Sequence, residues 1–261
     1  YSLEKVYVPD SVVVIKIGAF GLCKGLKEVR FPDYIQIETV AFLGCENLEE
    51  IELPKLANHI SKGTFMNCTS LKKVVLPQNL IAIEFAAFAN CTSLENLIIP
   101  QSVTTIENQA FFYCTSLTNM SLPNNITEIS DGLFQGCASL LNVDIPVSVK
   151  KIGDFAFYEC ENIEDIKIPE GVLELGESTF SYCTKLRNIE LPQSLKKIGA
   201  DAFYGCSNLR EIEIPANVTH IGKGAFGLAY SLEKVAIPNG DVYIDGDIFN
   251  IDIKQYISLL M

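Results

Sequence analysis

The most reactive side chains in this chain are nine cysteines, and they recur at a fixed interval. Successive cysteines are 23 residues apart, with a single step of 22, from Cys23 to Cys206. A zinc site needs thiolates and imidazoles that converge on one point, usually from closely spaced positions. An interval this long instead predicts a column of thiols, one in each unit of a repeating fold. We expect buried, reduced cysteines that pack as small hydrophobic residues. The alternative is a disulfide ladder, which requires Cα atoms within about 7 Å of each other.

The other residue types that commonly perform catalysis are scarce or scattered. His59 and His220 are the only histidines, and many residues separate them. The sequence contains no Ser-His-Asp set, phosphate-binding glycine loop, dinucleotide-binding turn or zinc motif. Acidic pairs such as Glu49-Glu50 follow the same interval as the cysteines, which is typical of a solvated strand face. We therefore expect no enzymatic activity, no metal site and no cofactor.

The prolines show that the interval extends along the whole chain. All 11 prolines, from Pro9 to Pro238, occupy one position of the same 23-residue unit. Written from its first leucine, the unit reads L-x-x-V-x-I-P-x-x-V-x-x-I-G-x-x-A-F-x-x-C-x-x, and residues 140–162 match it throughout. A fixed period of 20–50 residues is typical of solenoids. We number positions within a unit from that leucine and count units from Leu3.

Each unit predicts two short strands and one helical turn. Positions 4 and 6 are apolar with a variable residue between them, so they predict a strand with one buried face. The proline at position 7 ends this strand because it has no N–H group to donate. Positions 10 to 13 predict a second short strand, and Ala-Phe-x-x-Cys predicts a single α- or 3₁₀-helical turn. One unit cannot bury its own apolar face, so we expect the units to stack with equivalent strands paired in parallel.

Position 18 is a phenylalanine in every unit, which predicts one aromatic column through the core. The members of this column are Phe20, Phe42, Phe65, Phe88, Phe111, Phe134, Phe157, Phe180, Phe203, Phe226 and Phe249. Each interior ring would have a neighbour on both sides, whereas the two end rings would have only one within the array.

The proline after the strand, the Ile-Gly pair and the Ala-Phe-x-x-Cys segment together resemble the BspA-like (Treponema-type) leucine-rich repeat family. The resemblance covers eleven copies, from Leu3 to Phe249. It implies a right-handed solenoid of about eleven 23-residue units, with a parallel β-sheet on the concave face. The short second strands and the helical turns would lie on the convex side.

Some copies depart from the family pattern. Unit two is one residue short between Pro32 and Phe42, and the last two units have Ala229 and Asp252 in place of cysteine. We expect residues 1–249 to form the solenoid, beginning with the tail of an upstream repeat. Residues 250–261 would be a C-terminal cap or a truncated continuation.

Composition limits the partners that the chain could bind. Its formal net charge is −12, so it has no general electrostatic attraction for nucleic acid or anionic membranes. No apolar run approaches the roughly 18 residues of a membrane span. We therefore expect no nucleic-acid partner and no membrane insertion in this segment.

The family resemblance implies a binding function at the cell surface. It suggests a secreted or cell-surface protein of a host-associated microbe, in which the array is a non-enzymatic adhesion module. The partner would be a protein or a glycan, for example a host extracellular-matrix protein. The alternative is that the array is a structural spacer or targeting module of a larger protein whose active part lies elsewhere.

The variable positions of the first strand provide the candidate binding residues. Side chains at positions 3 and 5 point away from the core, and we call the surface that they form the concave face. Its centre combines two apolar residues, Val75 and Ile98, with polar neighbours and an acidic end farther along. The candidate ligand-binding residues are Val75, Ile98, Asn96, Asn119, Asn142, Ser121 and Asp144. An apolar centre with a polar rim is typical of binding patches, although β-propensity alone could explain apolar residues on an exposed strand.

A second candidate surface lies beside the predicted helical turns. Aromatic residues at positions 19 and 20 of nearby units would form an aromatic ridge, consisting of Phe112, Tyr113, Tyr158, Tyr182 and Tyr204. Such a ridge could stack against a sugar or a partner protein. The alternative is that these rings pack over the neighbouring turn and have only a structural role.

Overall fold

The computed structural model describes residues 3–237, 242–249 and 258–260, the last three by their backbone alone. Within these residues the chain forms a solenoid of 22 short strands joined by turns, and none of the described elements is a helix. Each unit contributes a first strand at positions 3 to 5 and a second strand at positions 12 and 13. The predicted parallel solenoid is confirmed.

The first strands are three residues long and alternate between exposed and buried side chains. They are β1 Lys5–Tyr7, β3 Glu28–Arg30, β5 Glu50–Glu52, β7 Lys73–Val75, β10 Asn119–Ser121, β12 Asn142–Asp144, β14 Asp165–Lys167, β16 Asn188–Glu190, β18 Glu211–Glu213, β20 Lys234–Ala236 and β22 Ser258–Leu260. From β3 to β20 the middle residue of each is buried in the core, as the period-two pattern predicts. In the fifth unit the strand is reduced to one bridge, between Asn96 and Asn119.

The first strands pair in parallel, mostly in twos. The pairs are β1–β3, β5–β7, β10–β12 and β14–β16, followed by the three-stranded set β18–β20–β22. Equivalent positions face each other, so that Lys5 lies opposite Glu28 and Asn119 opposite Asn142. This register places residues of the same unit position in rows that run along the solenoid.

The second strands are two residues long and form longer ladders. They are β2 Val14–Ile15, β4 Gln36–Ile37, β6 His59–Ile60, β8 Ala82–Ile83, β9 Thr105–Ile106, β11 Glu128–Ile129, β13 Lys151–Ile152, β15 Glu174–Leu175, β17 Lys197–Ile198, β19 His220–Ile221 and β21 Tyr243–Ile244. Six of them, from β11 to β21, form one continuous parallel sheet. Among the described strands, this ladder is interrupted between β4 and β6, beside the unit that is one residue short, and again between β9 and β11, where no residue is missing.

The helical turn predicted around each phenylalanine is not confirmed, because the described residues form consecutive turns there. In the ten units from Phe20 to Phe226, the residues two before and two after the phenylalanine have φ between 49° and 74°. An α- or 3₁₀-helix requires φ near −60° at every residue. Glycine occupies some of these positions, but Val40 and Phe155 adopt the same left-handed conformation.

Alternating hydrogen bonds explain why the turn segment is stable in this conformation. In the seventh unit, the N–H groups of Phe155 and Phe157 donate to carbonyls of the next unit at 2.8 Å. The next residue, Tyr158, donates its N–H to the Phe155 carbonyl of its own turn at 3.1 Å, and Glu159 N–H again donates to the next unit, at 2.9 Å. A helix would direct all of these donors within the unit. The left-handed residues therefore turn every second donor toward the neighbouring unit.

The phenylalanine column is confirmed as the centre of the core. Successive ring centroids are 5.2–5.9 Å apart, and from Phe20 to Phe226 the planes lie within 22° of parallel. All rings from Phe42 to Phe226 are completely buried, whereas Phe20 in the first unit is partly exposed. This offset-stacked arrangement is favourable for aromatic pairs.

In units seven to ten, glycine at position 14 permits close packing. Gly153, Gly176, Gly199 and Gly222 all have an ordinary backbone φ. A Cβ atom on any of them would collide with atoms of the preceding unit, such as the Asp131 backbone nitrogen beside Gly153. Glycine therefore allows neighbouring units to approach closely at this position.

The end of the chain contains one further first strand. Ser258–Leu260 pairs in parallel with Lys234–Ala236, with Leu259 opposite Val235. The prediction that residues 250–261 form a cap or a continuation falls mostly outside the described residues and stays a prediction.

Truncating a central ring of the column should cost more stability than truncating an end ring. Phe134 stacks on both Phe111 and Phe157, whereas Phe20 stacks on Phe42 alone and is partly exposed. We expect Phe134→Ala to lower the free energy of unfolding by about 3–5 kcal/mol, and Phe20→Ala to lower it clearly less. Urea denaturation followed by circular dichroism measures both. Equal losses would show that the units do not behave as a one-dimensional stack.

Candidate functional site

The cysteine thiols lie in a buried column, as predicted, and all nine are free. Eight of them, from Cys45 to Cys206, are inaccessible to solvent. Each of these eight donates its S–H to the carbonyl of the phenylalanine in the preceding unit, at 3.1–3.2 Å. Burial raises the pKa of the Cys45 and Cys114 thiols to about 12. The thiols are therefore neutral at physiological pH and are not available as nucleophiles.

The two histidines do not belong to a common site. His59 Nδ1 lies 3.3 Å from Glu84 Oε1 on the exposed surface. His220 Nδ1 lies 2.9 Å from Thr219 Oγ1, and its ring lies 5.6 Å from that of Tyr243. Within the part of the chain that the structure describes, no group of three or more histidine, cysteine or carboxylate side chains could hold a metal ion.

The two apolar candidates on the concave face are both exposed, but to different degrees. The Ile98 side chain is 86% exposed, and the Val75 side chain is 43% exposed. They also lie in different surroundings. Ile98 lines a shallow depression of about 340 Å³ together with Asn96, Asn119 and Asn142. Val75 lines a separate depression of about 260 Å³ with Glu52 and Arg30. Val75 and Ile98 thus occupy position 5 of successive units but line different depressions.

The polar candidates form a row of amides beside Ile98. Asn96, Asn119 and Asn142 occupy the same position of successive units, and all three are exposed. Asn96 Oδ1 accepts from the Thr118 hydroxyl at 3.4 Å, and Asn119 Nδ2 donates to the same hydroxyl at 3.3 Å. Asn142 Nδ2 donates to Asp144 Oδ1 at 3.3 Å. These bonds are long, so the amides remain able to exchange them for bonds to a ligand.

Ser121 and Asp144 complete the same depression. Both are exposed on strands that pair in register, with Ser121 opposite Asp144. The depression thus combines one large apolar side chain with amide, hydroxyl and carboxylate groups. Such a surface can hold a ligand through one apolar contact surrounded by hydrogen bonds.

The aromatic ridge is divided into two clusters whose rings pack on neighbouring units. Tyr182 makes edge-to-face contacts with Tyr158 at 5.7 Å and with Tyr204 at 5.6 Å between centroids. Phe112 and Tyr113 form the other pair, at 4.6 Å. The Tyr113 hydroxyl donates to Glu159 Oε2 at 2.9 Å, and this bond raises the pKa of Tyr113.

Glycines of the following unit make room for the rings of this ridge. A Cβ atom on Gly136 would lie 2.7 Å from the Tyr113 ring, and one on Gly205 would lie 2.8 Å from the Tyr182 ring. Tyr204 covers Gly227 in the same way. This packing supports a structural role for the ridge, the alternative that the sequence left open.

A depression beside the short second unit is a surface feature that the sequence did not predict. Where the ladder between β4 and β6 is broken, a depression of about 610 Å³ is lined by Val13, Tyr34 and Leu56, among other residues. These three side chains are more than half exposed.

With this geometry established, comparison with known proteins identifies the family. The sequence model described as "BspA type Leucine rich repeat region (6 copies)" matches residues 1–114, 35–162 and 127–254. The chain belongs to this family. The predicted resemblance is therefore confirmed.

Solved structures of bacterial leucine-rich repeat proteins share the fold. A leucine-rich repeat protein from Bacteroides ovatus is 27% identical, with a TM-score of 0.55 over 93% of this chain and 82% of that protein. A leucine-rich cell surface protein from Faecalibacterium prausnitzii is 24% identical, with a TM-score of 0.58 over 98% and 76%. The pneumococcal vaccine antigen PcpA is 21% identical, with a TM-score of 0.57 over 94% and 76%. No curated protein matches the sequence significantly.

The family assignment agrees with a surface that binds rather than catalyses. Leucine-rich repeat arrays typically act as non-enzymatic scaffolds that bind protein ligands on extended faces. In the described residues, no helix has the length and apolarity needed to cross a bilayer.

Burial of the thiols predicts that the protein loses stability in alkaline solution. The unfolded thiol has a pKa of about 8.5, and burial raises the folded value, for Cys114 to about 12. The contribution of the neutral thiols is therefore fully present below about pH 8.5 and is lost as the pH rises toward the folded value. At about pH 9.5, each buried thiol should lower the free energy of unfolding by roughly 1.4 kcal/mol relative to pH 7.

Urea denaturation between pH 7 and pH 9.5 in the presence of a reductant measures this effect. The matched control is Cys114→Ala, which lacks one buried thiol. Between pH 7 and about pH 9.5 its free energy of unfolding should fall by roughly 1.4 kcal/mol less than that of the unaltered chain. A free energy of unfolding that stays constant over this range would contradict the prediction.

Proposed function

We propose that this BspA-type array is a non-enzymatic binding module of a secreted or cell-surface protein. The concave face holds a protein or glycan ligand, centred on Ile98 and the row of Asn96, Asn119 and Asn142. The observation that carries the proposal is the exposure of Ile98, which is 86% exposed. The adjacent residues at positions 4 and 6 are buried and already supply the core contacts of this segment. Folding does not require an isoleucine at that position.

The surroundings of Ile98 support a binding role. A single apolar side chain within a ring of polar groups is the usual composition of a small interface centre. The amides provide donors and acceptors in register along three units, since equivalent strands pair without offset. A ligand that crosses these units could therefore bond to each in turn.

The proposed location rests on a relative. The related protein from Faecalibacterium prausnitzii is described as a cell surface protein. A host extracellular-matrix protein is the ligand class that we put forward for this chain. A panel of purified matrix proteins and a glycan array, screened with the intact chain, would test the proposal directly. Binding to no member of either set would favour a structural spacer.

Substitution of Ile98 should separate binding from folding. We expect Ile98→Lys to change the free energy of unfolding by no more than about 0.5 kcal/mol, as for other surface substitutions. The same substitution should weaken binding of the ligand found in the screen by at least about 1 kcal/mol. Val75→Lys should weaken it less, because Val75 lines a different depression. Surface plasmon resonance and urea denaturation give the two quantities.

Val147→Lys is the matched control, since Val147 is 77% exposed but lies outside the concave face, after the proline that ends the strand. It should leave binding unchanged. If binding survives Ile98→Lys but is lost in Tyr158→Ala with Tyr182→Ala, the ligand binds the aromatic ridge and the proposed centre is wrong.

A further inference from the structure

The strand ladders show that the junction between units two and three differs from the others. The first strands of these units, β3 and β5, are not paired with each other, and neither are their second strands, β4 and β6. At every other junction among the described strands, at least one ladder continues or the bridge between Asn96 and Asn119 joins the units. Units one and two are therefore attached to the rest of the array without a β-ladder.

Single backbone donors show the same difference. Between units three and four, the Leu53 N–H donates to the next unit at 3.0 Å, and the Glu84 N–H donates to the preceding unit at 2.9 Å. The equivalent donors at the junction of units two and three are the N–H groups of Phe31 and Ser61. Neither makes the corresponding bond in the part of the chain that the structure describes.

A serine hydroxyl occupies the place of the missing second-strand bond. Ser61 Oγ donates to the Ile37 carbonyl at 2.8 Å, whereas in units with glutamate at position 14, such as Glu84, the backbone N–H makes this bond. The hydroxyl of Ser130, also at position 14, bonds in the same way to the Ile106 carbonyl, and the second-strand ladder is interrupted there too. At that second interruption, however, the first-strand bridge still joins the units.

The junction of units two and three is held mainly on the side of the turns and by the core. Val40, Phe42 and Gly44 donate their N–H groups to carbonyls of unit three at 2.8–3.0 Å. The rings of Phe42 and Phe65 stack at 5.8 Å between centroids. Turn bonds of the same kind are present at the neighbouring junctions, so the ladders are what this junction lacks.

We propose that units one and two detach from the array as one cooperative segment, with its boundary at this junction. The stability of a solenoid is a sum of unit terms and interface terms, so the array opens most readily where an interface has the fewest bonds. Units one and two are paired with each other in both ladders, β1–β3 and β2–β4. Because about three stacked repeats are needed for stability, the two detached units unfold together.

This opening is a conformational device at one end of the concave face. It displaces strands β1 and β3, with the ion pair between Lys5 and Glu28, and leaves the remaining units stacked. The surface around Ile98 belongs to units five to seven and stays closed. The inference is therefore independent of the proposed binding centre.

Amide hydrogen exchange of the intact chain, resolved by NMR, tests the position of the boundary. Phe20, Phe42 and Phe65 occupy the same position of units one, two and three, and each N–H donates to the next unit at 2.9–3.0 Å. We expect the protection factors of Phe20 and Phe42 to agree within about threefold, and that of Phe65 to be at least about tenfold higher. Progressive fraying would instead raise protection in similar steps from Phe20 through Phe42 to Phe65. That pattern would overturn the inference.

The variant Ser61→Glu tests whether the open ladder sets the boundary. It gives unit three the residue of unit four, where Glu84 donates its N–H to the preceding unit and its carboxylate accepts the Lys62 N–H at 3.2 Å. Both bonds would then cross the junction of units two and three. We expect the protection factors of the amides in units one and two to rise by at least about threefold.

The matched control is Ser130→Glu, which makes the same substitution at the junction of units five and six. It should leave the protection factors of units one and two unchanged. Unchanged protection in Ser61→Glu, or an equal rise in both variants, would contradict the role assigned to the open ladder. The exchange pattern of the unaltered chain decides the position of the boundary even if a variant does not fold.

Discussion

Alternation of backbone handedness around the phenylalanine column is the feature on which the rest of this solenoid depends. Left-handed residues on both sides of the ring turn every second N–H toward the next unit and leave the others within their own turn. A unit can therefore complete its backbone hydrogen bonds only when its neighbour is present. Because buried N–H groups must be bonded, the turn segment tolerates little variation in length or path, and the stacking distance of the whole array follows from it.

Part of this architecture could be predicted because it depends only on periodicity. The 23-residue interval of proline and cysteine predicts that the units stack, and the alternation at positions 4 to 6 predicts the first strand. The turn conformation was not predictable by the same reasoning. Ala-Phe-x-x-Cys has helical spacing, and residues such as Val40 and Phe155 disfavour a positive φ. Only hydrogen bonds to the next unit make that conformation favourable, and these are not visible within one unit.

The candidate site was predictable to a similar extent. Period two alone places Ile98 and the asparagines on the exposed side of the strand, and the structure agrees. The sequence could not show that Val75 and Ile98 line different depressions, because this depends on the local shape of neighbouring units. The packing of the aromatic ridge could have been predicted by comparing units rather than single residues. A large side chain at position 20 is followed by glycine at the same position one unit later, as in Tyr182 and Gly205.

The constraint on the turns leaves the concave face free to change. Its ion pairs, such as Lys5 with Glu28, are exposed and contribute little to stability. The core, by contrast, contains buried leucine, phenylalanine and cysteine in each unit from the second to the ninth, with isoleucine for leucine in the eighth. Substitutions at positions 3 and 5 therefore change the surface of this face with little effect on stacking. This separation explains how neighbouring units that share one backbone geometry can present an amide row, an exposed isoleucine and charged residues on a single face.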